Sequence, residues 1–337
     1  MPGDPREQLK EKYERLGWPA EKRPDLEPPD GWSIPLITSI TRPRSHAPSP
    51  DGTQVAFFWD RDDASDLYVM PASGGWPARL TFDREPKPYW FDDPPRWSPD
   101  GEWLAFTNQG HVWVVPIGGG LPQKVSSFTE GAGSPHWMPD SGGLLVTVRR
   151  DKRSHVLLTN REGAWPRPVS LRSQDGHALD PQAAPNGRYV AYVHQWLSDL
   201  NRTDIMLADL ETGEVRALTG TPARHDRSPR WSPDGRQIAY ISDRLGFYEI
   251  FVYDLEAGQE RQLTHAGHDL DDIAWSPDGG RILCTVNRGG AFDIGLVDTD
   301  SGDLHNVRTG YGFHARPRWL PGGHAITFEY EDPQTPP

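Results

Sequence analysis

Short apolar runs, each entered through a tight turn, recur along almost the whole chain. The run "QIAYIS" (237–242) follows "RWSPDGR". The same order returns in "APSPDGTQVAFFWDR" (47–61), "RWSPDGEWLAFTN" (96–108), "HWMPDSGGLLVTVRR" (136–150), "AAPNGRYVAYV" (183–193), "AWSPDGGRILCTVNR" (274–288) and "RWLPGGHAITFEY" (318–330). Proline pre-sets φ at the second turn position, and Asp-Gly or Asn-Gly accepts the positive φ after it. Apolar and polar residues then alternate with period two, which predicts a half-buried strand. The turn prolines Pro50, Pro99, Pro139, Pro185, Pro233, Pro277 and Pro321 lie 40 to 49 residues apart.

Each copy carries more than a hairpin. A third strand is predicted at "DLYVM" (66–70), "HVWVV" (111–115), "DIMLAD" (204–209), "EIFVYD" (249–254) and "DIGLVD" (293–298). A fourth, edge-like strand follows at "ARLT" (78–81), "RALT" (216–219) and "RQLT" (261–264). Four antiparallel strands at this period predict a β-propeller blade. The expectation is an all-β, seven-bladed β-propeller whose last blade is incomplete. Hairpins start near 47, 96, 136, 183, 230, 274 and 318. Trp97, Trp137, Trp231, Trp275 and Trp319 precede the turn in five copies, with Pro48 and Ala183 in the other two. A large aromatic at one repeated inner position reads as inter-blade packing.

Outside the repeats, residues 4–16 predict a short helix with Asp4 as N-cap and Pro5 in its first turn. A proline-rich stretch runs on to residue 32, the propeller is expected over 33–331, and 332–337 reads as a linker cut short. Leu36 lies 13 residues before Ser49, as Leu263 does before Ser276. Residues 34–40 are therefore expected to supply the outer strand of the closing blade. A strand would still be missing there, which leaves an open edge suited to self-association and suggests a piece of a longer protein.

Composition narrows the function classes. Hydrophobic residues make up 35% of the 337, with 34 prolines and 34 glycines, which suits many turns and half-exposed strands. The formal charge of −13 and the lack of a basic stripe argue against nucleic acid. No apolar stretch is long enough for a membrane helix, and the charged N-terminus does not read as a signal peptide. The single cysteine, Cys284 in "RILCTV", excludes an internal disulfide and reads as a small buried hydrophobe. A cytoplasmic setting is expected.

The stretch 216–264, "RALTGTPARHDRSPRWSPDGRQIAYISDRLGFYEIFVYDLEAGQERQLT", resembles the WD40-like repeat of TolB-type propellers and of prolyl-oligopeptidase-family serine peptidases. Copy number and the N-terminal extension resemble most the acylaminoacyl-peptidase and dipeptidyl-peptidase branch. The resemblance implies a propeller that gates and helps bind peptide substrates for an α/β-hydrolase domain carrying Ser, Asp and His. That nucleophile sits in G-x-S-x-G, and the pattern is absent here; "GAGSPHW" (131–137) lacks the flanking glycines. The hydrolase domain is thus expected to be missing, no catalytic residue is assigned, no cofactor is expected, and the chain alone is expected to be inactive.

Candidate binding residues lie just before the tryptophans. Arg96, Arg230 and Arg318, with His136 in the equivalent place, fall on or near the innermost strands. They could line the tunnel and bind substrate carboxylates, or pair with aspartates of neighbouring blades. A second reading draws on histidines between blades: His46, His136, His177, His225, His265, His268 and His314. Some propeller lyases with this repeat, the oligogalacturonate lyases, gather axial histidines around a metal. On that reading His225, His265, His268 and His314 would be ligands, beside Asp269, Asp271 and Asp272. A third is a stand-alone protein-binding propeller. The segment "VRRDKRSHV" (148–156) reads as a solvated hairpin loop.

Overall fold

Strands replace the predicted alternation at every copy of the repeat. A computed structural model describes residues 43–61, 64–82, 93–170, 176–222, 224–289, 291–308 and 312–331, with no helix among them. The helix expected over 4–16, the linkers over 1–32 and 332–337 and the strand expected over 34–40 lie outside these.

Blade 1 comprises Pro43–Pro48, Gln54–Arg61, Ala64–Pro71 and Ala78–Arg79. Blade 2 comprises Arg96–Trp97, Trp103–Asn108, His111–Pro116 and Gln123–Lys124. Blade 3 comprises Ala132–Trp137, Gly143–Arg150, Arg153–Asn160 and Arg167–Pro168. Blade 4 comprises Gly176–Ala183, Tyr189–Trp196, Thr203–Asp209 and Val215–Ala217. Blade 5 comprises Asp226–Trp231, Gln237–Ser242, Glu249–Asp254 and Gln259–Gln262. Blade 6 comprises Asp269–Trp275, Arg281–Asn287, Phe292–Asp298 and Leu304–Arg308. Within each blade the strands pair antiparallel in chain order.

The expected seven blades are corrected to six. The seventh repeat supplies only the hairpin Phe313–Trp319 and Ile326–Glu331. Two strands make a marginal sheet by themselves. The hairpin instead joins the sheet of blade 6 through one parallel pairing, Phe292 with Phe313. Its other side meets blade 1. There Glu329 accepts from the His46 amide at 3.3 Å, Thr327 Oγ1 bonds His46 Nε2 at 2.9 Å, and Arg316 donates to Ser45 Oγ at 3.3 Å. Arg316 also pairs with Glu329 at 3.0 Å. Burial opposes ionisation of Glu329, but the His46 and Arg316 contacts outweigh it and hold the carboxyl at about 2. Gly52, at φ 72°, lies against Pro321, and a Cβ there would stand 2.9 Å from Pro321 Cδ.

The turn chemistry repeats with the strands. Ser49 Oγ donates to Asp51 at 2.5 Å and accepts from the Gln54 amide at 3.0 Å, fixing where the second strand starts. Ser232 with Asp234 and Ser276 with Asp278 do the same. A hydroxyl after the fourth strand accepts from an amide in the first half of the third strand in five blades: Thr81 from Leu67, Ser126 from Val112, Ser170 from Val156, Thr219 from Ile205 and Thr264 from Ile250. "VRRDKRSHV" is mostly strand. Only Asp151 and Lys152 form the turn, with φ of 51° and 62°, a two-residue loop whose twist matches its strands.

The core is a set of layers between blades. Phe58, Leu67, Leu104 and Phe106 fill the layer between blades 1 and 2; Ile241, Ile250, Leu270 and Ile282 fill that between blades 5 and 6. The repeated tryptophans clamp these layers at the inner end. Their indole N–H groups donate to backbone carbonyls of the preceding blade: Trp97 to Ala47, Trp137 to Arg96, Trp231 to Gln182 and Trp275 to Arg230. Trp319 reaches Ala274 in the same way from the closing hairpin. Cys284 is fully buried, and burial pushes its thiol up to about 12, which removes it as a nucleophile.

Candidate functional site

A bulge interrupts the innermost strand of blades 1, 3, 4, 5 and 6 and of the closing hairpin. Its first residue is Ser45, Ser134, Asp180, Ser228, Asp272 or Arg316, each with φ between 45° and 56°. The second is a buried proline in four of the six (Pro135, Pro181, Pro229, Pro317) and the buried Ile273 in a fifth. Proline suits a position whose amide the ladder does not use. A bulge bends its strand and re-aims the side chains beside it. Here it sets the residue before the tryptophan, and the bulge residue itself, towards the propeller axis.

Four basic groups and an acidic counterpart meet there. Arg230 donates to Asp180 of blade 4 at 2.9 Å and to its own Pro229 carbonyl at 2.7 Å. Asp180 also accepts from Gln182 at 2.8 Å. Burial raises the Asp180 carboxyl, yet Arg230 and Arg96 outweigh it and hold the group ionised. Arg318 folds onto its own Pro317 carbonyl at 2.8 Å, as Arg230 does onto Pro229, but makes no ion pair among the described residues. Arg96 makes none either, and its Nε is buried without a partner there.

These groups feel one another. Burial, with Asp272 opposing and Arg96, Arg230 and Arg316 repelling, brings the Arg318 guanidinium down to about 10. Burial and then Arg230 depress Arg96, against Asp93 and Asp180. Burial, Arg96 and Arg230 bring His136 down to about 3, so it is neutral at pH 7. Arg230 and Asp180 nevertheless keep 28% and 33% of their side-chain surface. Groups that are strongly desolvated yet still partly wetted suit the central channel of a propeller. These two guanidiniums make that channel receptive to anions, because a carboxylate supplies the ion-pair partner that Arg96 and Arg318 lack among the described residues.

The structure thus brings Arg96, His136, Arg230 and Arg318 together. Among the described residues, pairing of these groups with a neighbouring aspartate is realised at Arg230 alone. The sequence names neither Asp93, Asp180 nor Arg316 as a candidate, and it offers Asp272 only as a neighbour of the histidine ligands. Their signal is a recurring place three residues before the tryptophan position (Ala183 in blade 4), or one earlier for Asp93.

The histidines do not converge. His46, His136, His177 and His314 lie within inner strands, which start earlier than expected because of the bulge. His314 is fully buried, bonds the Phe292 carbonyl and stacks on Tyr330. His225 sits against Asp243 at 3.2 Å. His265 is exposed. Asp269 accepts from the Tyr248 amide, and Asp271 pairs with Arg227 at 3.2 Å. Among the described residues no group of three or more His, Cys, Asp or Glu side chains could hold a metal ion.

Comparison with known proteins agrees with this architecture. The chain is 39% identical over 224 residues to the "Uncharacterized peptidase YuxL" of Bacillus subtilis (strain 168), covering 62% of this chain and 30% of that protein. Puromycin hydrolase superposes with a TM-score of 0.74 at 19% identity, over 90% of this chain and 53% of its own. An oligogalacturonate lyase in complex with manganese superposes with a TM-score of 0.68 at 18% identity, over 84% of each chain. The two structural likenesses are likenesses of fold. The resemblance to prolyl-oligopeptidase-family propellers therefore holds for the architecture, and the chain spans 30% of peptidase YuxL and 53% of puromycin hydrolase. The model described as the TolB beta propeller domain matches residues 159–334, just over half of the sequence, and the chain belongs to that β-propeller family.

Proposed function

We propose that this propeller receives short peptides in its axial channel and holds them by a carboxylate, for cleavage by a serine-hydrolase domain of the acylaminoacyl- or dipeptidyl-peptidase type. The observation that carries the reading is the pair of axial guanidiniums, Arg96 and Arg318, without an ion-pair partner among the described residues. Arg230 is positioned by Asp180 and lends charge without being free. A guanidinium offers two parallel N–H donors to a carboxylate, and the similarity to peptidase YuxL supports peptides as the carriers of that carboxylate. His136, neutral at pH 7, adds a ring nitrogen to the same wall.

Titration of a tripeptide into the chain tests this. Binding is expected for the native chain and a loss of about tenfold or more for Arg96→Gln/Arg318→Gln. Equal affinity in both would sink the reading. On this view the propeller does no bond-breaking, so a fluorophosphonate probe is expected to leave the chain unlabelled.

A further inference from the structure

The turns between third and fourth strands carry a second feature, remote from the axis. Trp76, Leu121 and Trp165 are 95%, 85% and 91% exposed. They occupy one repeated position, five residues before the hydroxyl that caps the third strand (Thr81, Ser126 and Ser170), in three consecutive blades. Each is followed by proline: Pro77, Pro122 and Pro166. The corresponding residues of blades 4, 5 and 6 are Glu214, Gln259 and Asp303, all exposed. One half of this rim is therefore apolar and the other polar.

These turns leave the propeller on the same face as the Ser-Pro-Asp-Gly turns. The described chain enters at Pro43, the start of an inner strand, and leaves at Glu331, the end of a second strand. Both points lie on the opposite face. Monomers rarely keep so large an apolar arc in water. Two tryptophans, a leucine and the flanking prolines offer roughly 600 Å² per copy, against about 800 Å² per partner in a standard interface.

We propose that the arc Trp76–Leu121–Trp165 is a homodimer interface. Its order reads the same in both directions around blade 2. A two-fold axis through Leu121 sets Leu121 against its own copy and Trp76 against the partner subunit's Trp165, as an isologous contact requires. The exposed Glu211, Glu214, Glu256, Asp300 and Asp303 would repel one another in a full face-to-face stack, so the contact is confined to the arc. Exposed Lys124 of blade 2 would also face its own copy, a like charge, across the axis. Salt should therefore leave the dimer intact or tighten it.

Sedimentation velocity over about 1–100 µM tests the proposal. The native chain is expected to dimerise. Trp76→Ser/Trp165→Ser is expected to raise the dissociation constant about 30-fold or more with an unchanged circular dichroism spectrum, since both side chains are exposed. Leu121→Cys gives an independent readout: near the axis it should form a disulfide-linked dimer on mild oxidation, while Leu245→Cys, 64% exposed on the far face, should not. A native chain that stays monomeric overturns the proposal. So does a dimer that survives the double substitution, which would place the contact elsewhere, as on the open edge of the closing hairpin.

Discussion

Replacing Trp137 by phenylalanine isolates the clamp between blades 2 and 3. The side chain is 5% exposed and packs among Ala105, Val114, Leu144 and Val146. Its indole N–H donates to the Arg96 carbonyl at 2.9 Å. Phenylalanine keeps most of the apolar contact and removes the donor. The lost hydrogen bond is worth about 1 kcal/mol, and the smaller ring costs about 1 kcal/mol more through imperfect refilling. Trp137→Phe should thus lower stability by about 2 kcal/mol. Trp137→Ala removes the ring as well and should cost about 5 kcal/mol. Urea denaturation followed by circular dichroism reads both. A phenylalanine variant within about 0.3 kcal/mol of the native chain would refute the clamp, as would one as damaged as the alanine variant. The carbonyl belongs to Arg96, so the phenylalanine variant should also weaken anion binding at the axis.

Other outcomes follow from the charges. Asp180→Asn frees Arg230 and should tighten peptide binding several-fold, read by calorimetric titration; weaker binding would mean that Asp180 itself holds the ligand. His136 has a folded pKa of about 3 against an ordinary 6.5. Between those values the unfolded chain holds a proton the folded one does not, so stability falls as pH drops through that window. His136→Gln should flatten this part of a stability profile against pH. Glu329, at about 2 against an ordinary 4.5, works in the same direction: its stabilisation is complete above 4.5 and lost as pH falls through about 2. Glu329→Gln should cost about 2 kcal/mol at pH 7 and loosen the closing hairpin in hydrogen exchange.

The propeller was legible because its repeats are local. Ser-Pro-Asp-Gly turns, six-residue alternations and the tryptophan position all show in the sequence, and the strands Gln237–Ser242 and Glu249–Asp254 fall where the alternation puts them. The number of blades was not, since the sequence displays seven inner hairpins and a blade needs four strands. Arg96, Arg230 and Arg318 were legible from their place beside the tryptophans. Asp180 was not, and Asp272 stood out only beside the histidines, because a bulge breaks the period-two count just before that place. The loop expected at 148–156 shrank to Asp151–Lys152, because charged side chains on exposed strand ends resemble those of a loop.

The axial reading is tested most directly by one peptide offered in two forms. A tripeptide with a free C-terminal carboxylate and its amide differ at the one group Arg96 and Arg318 are held to receive. The free acid should bind the native chain about tenfold or more tightly than the amide, and the difference should vanish in Arg96→Gln/Arg318→Gln. Equal binding of acid and amide to the native chain would contradict the account.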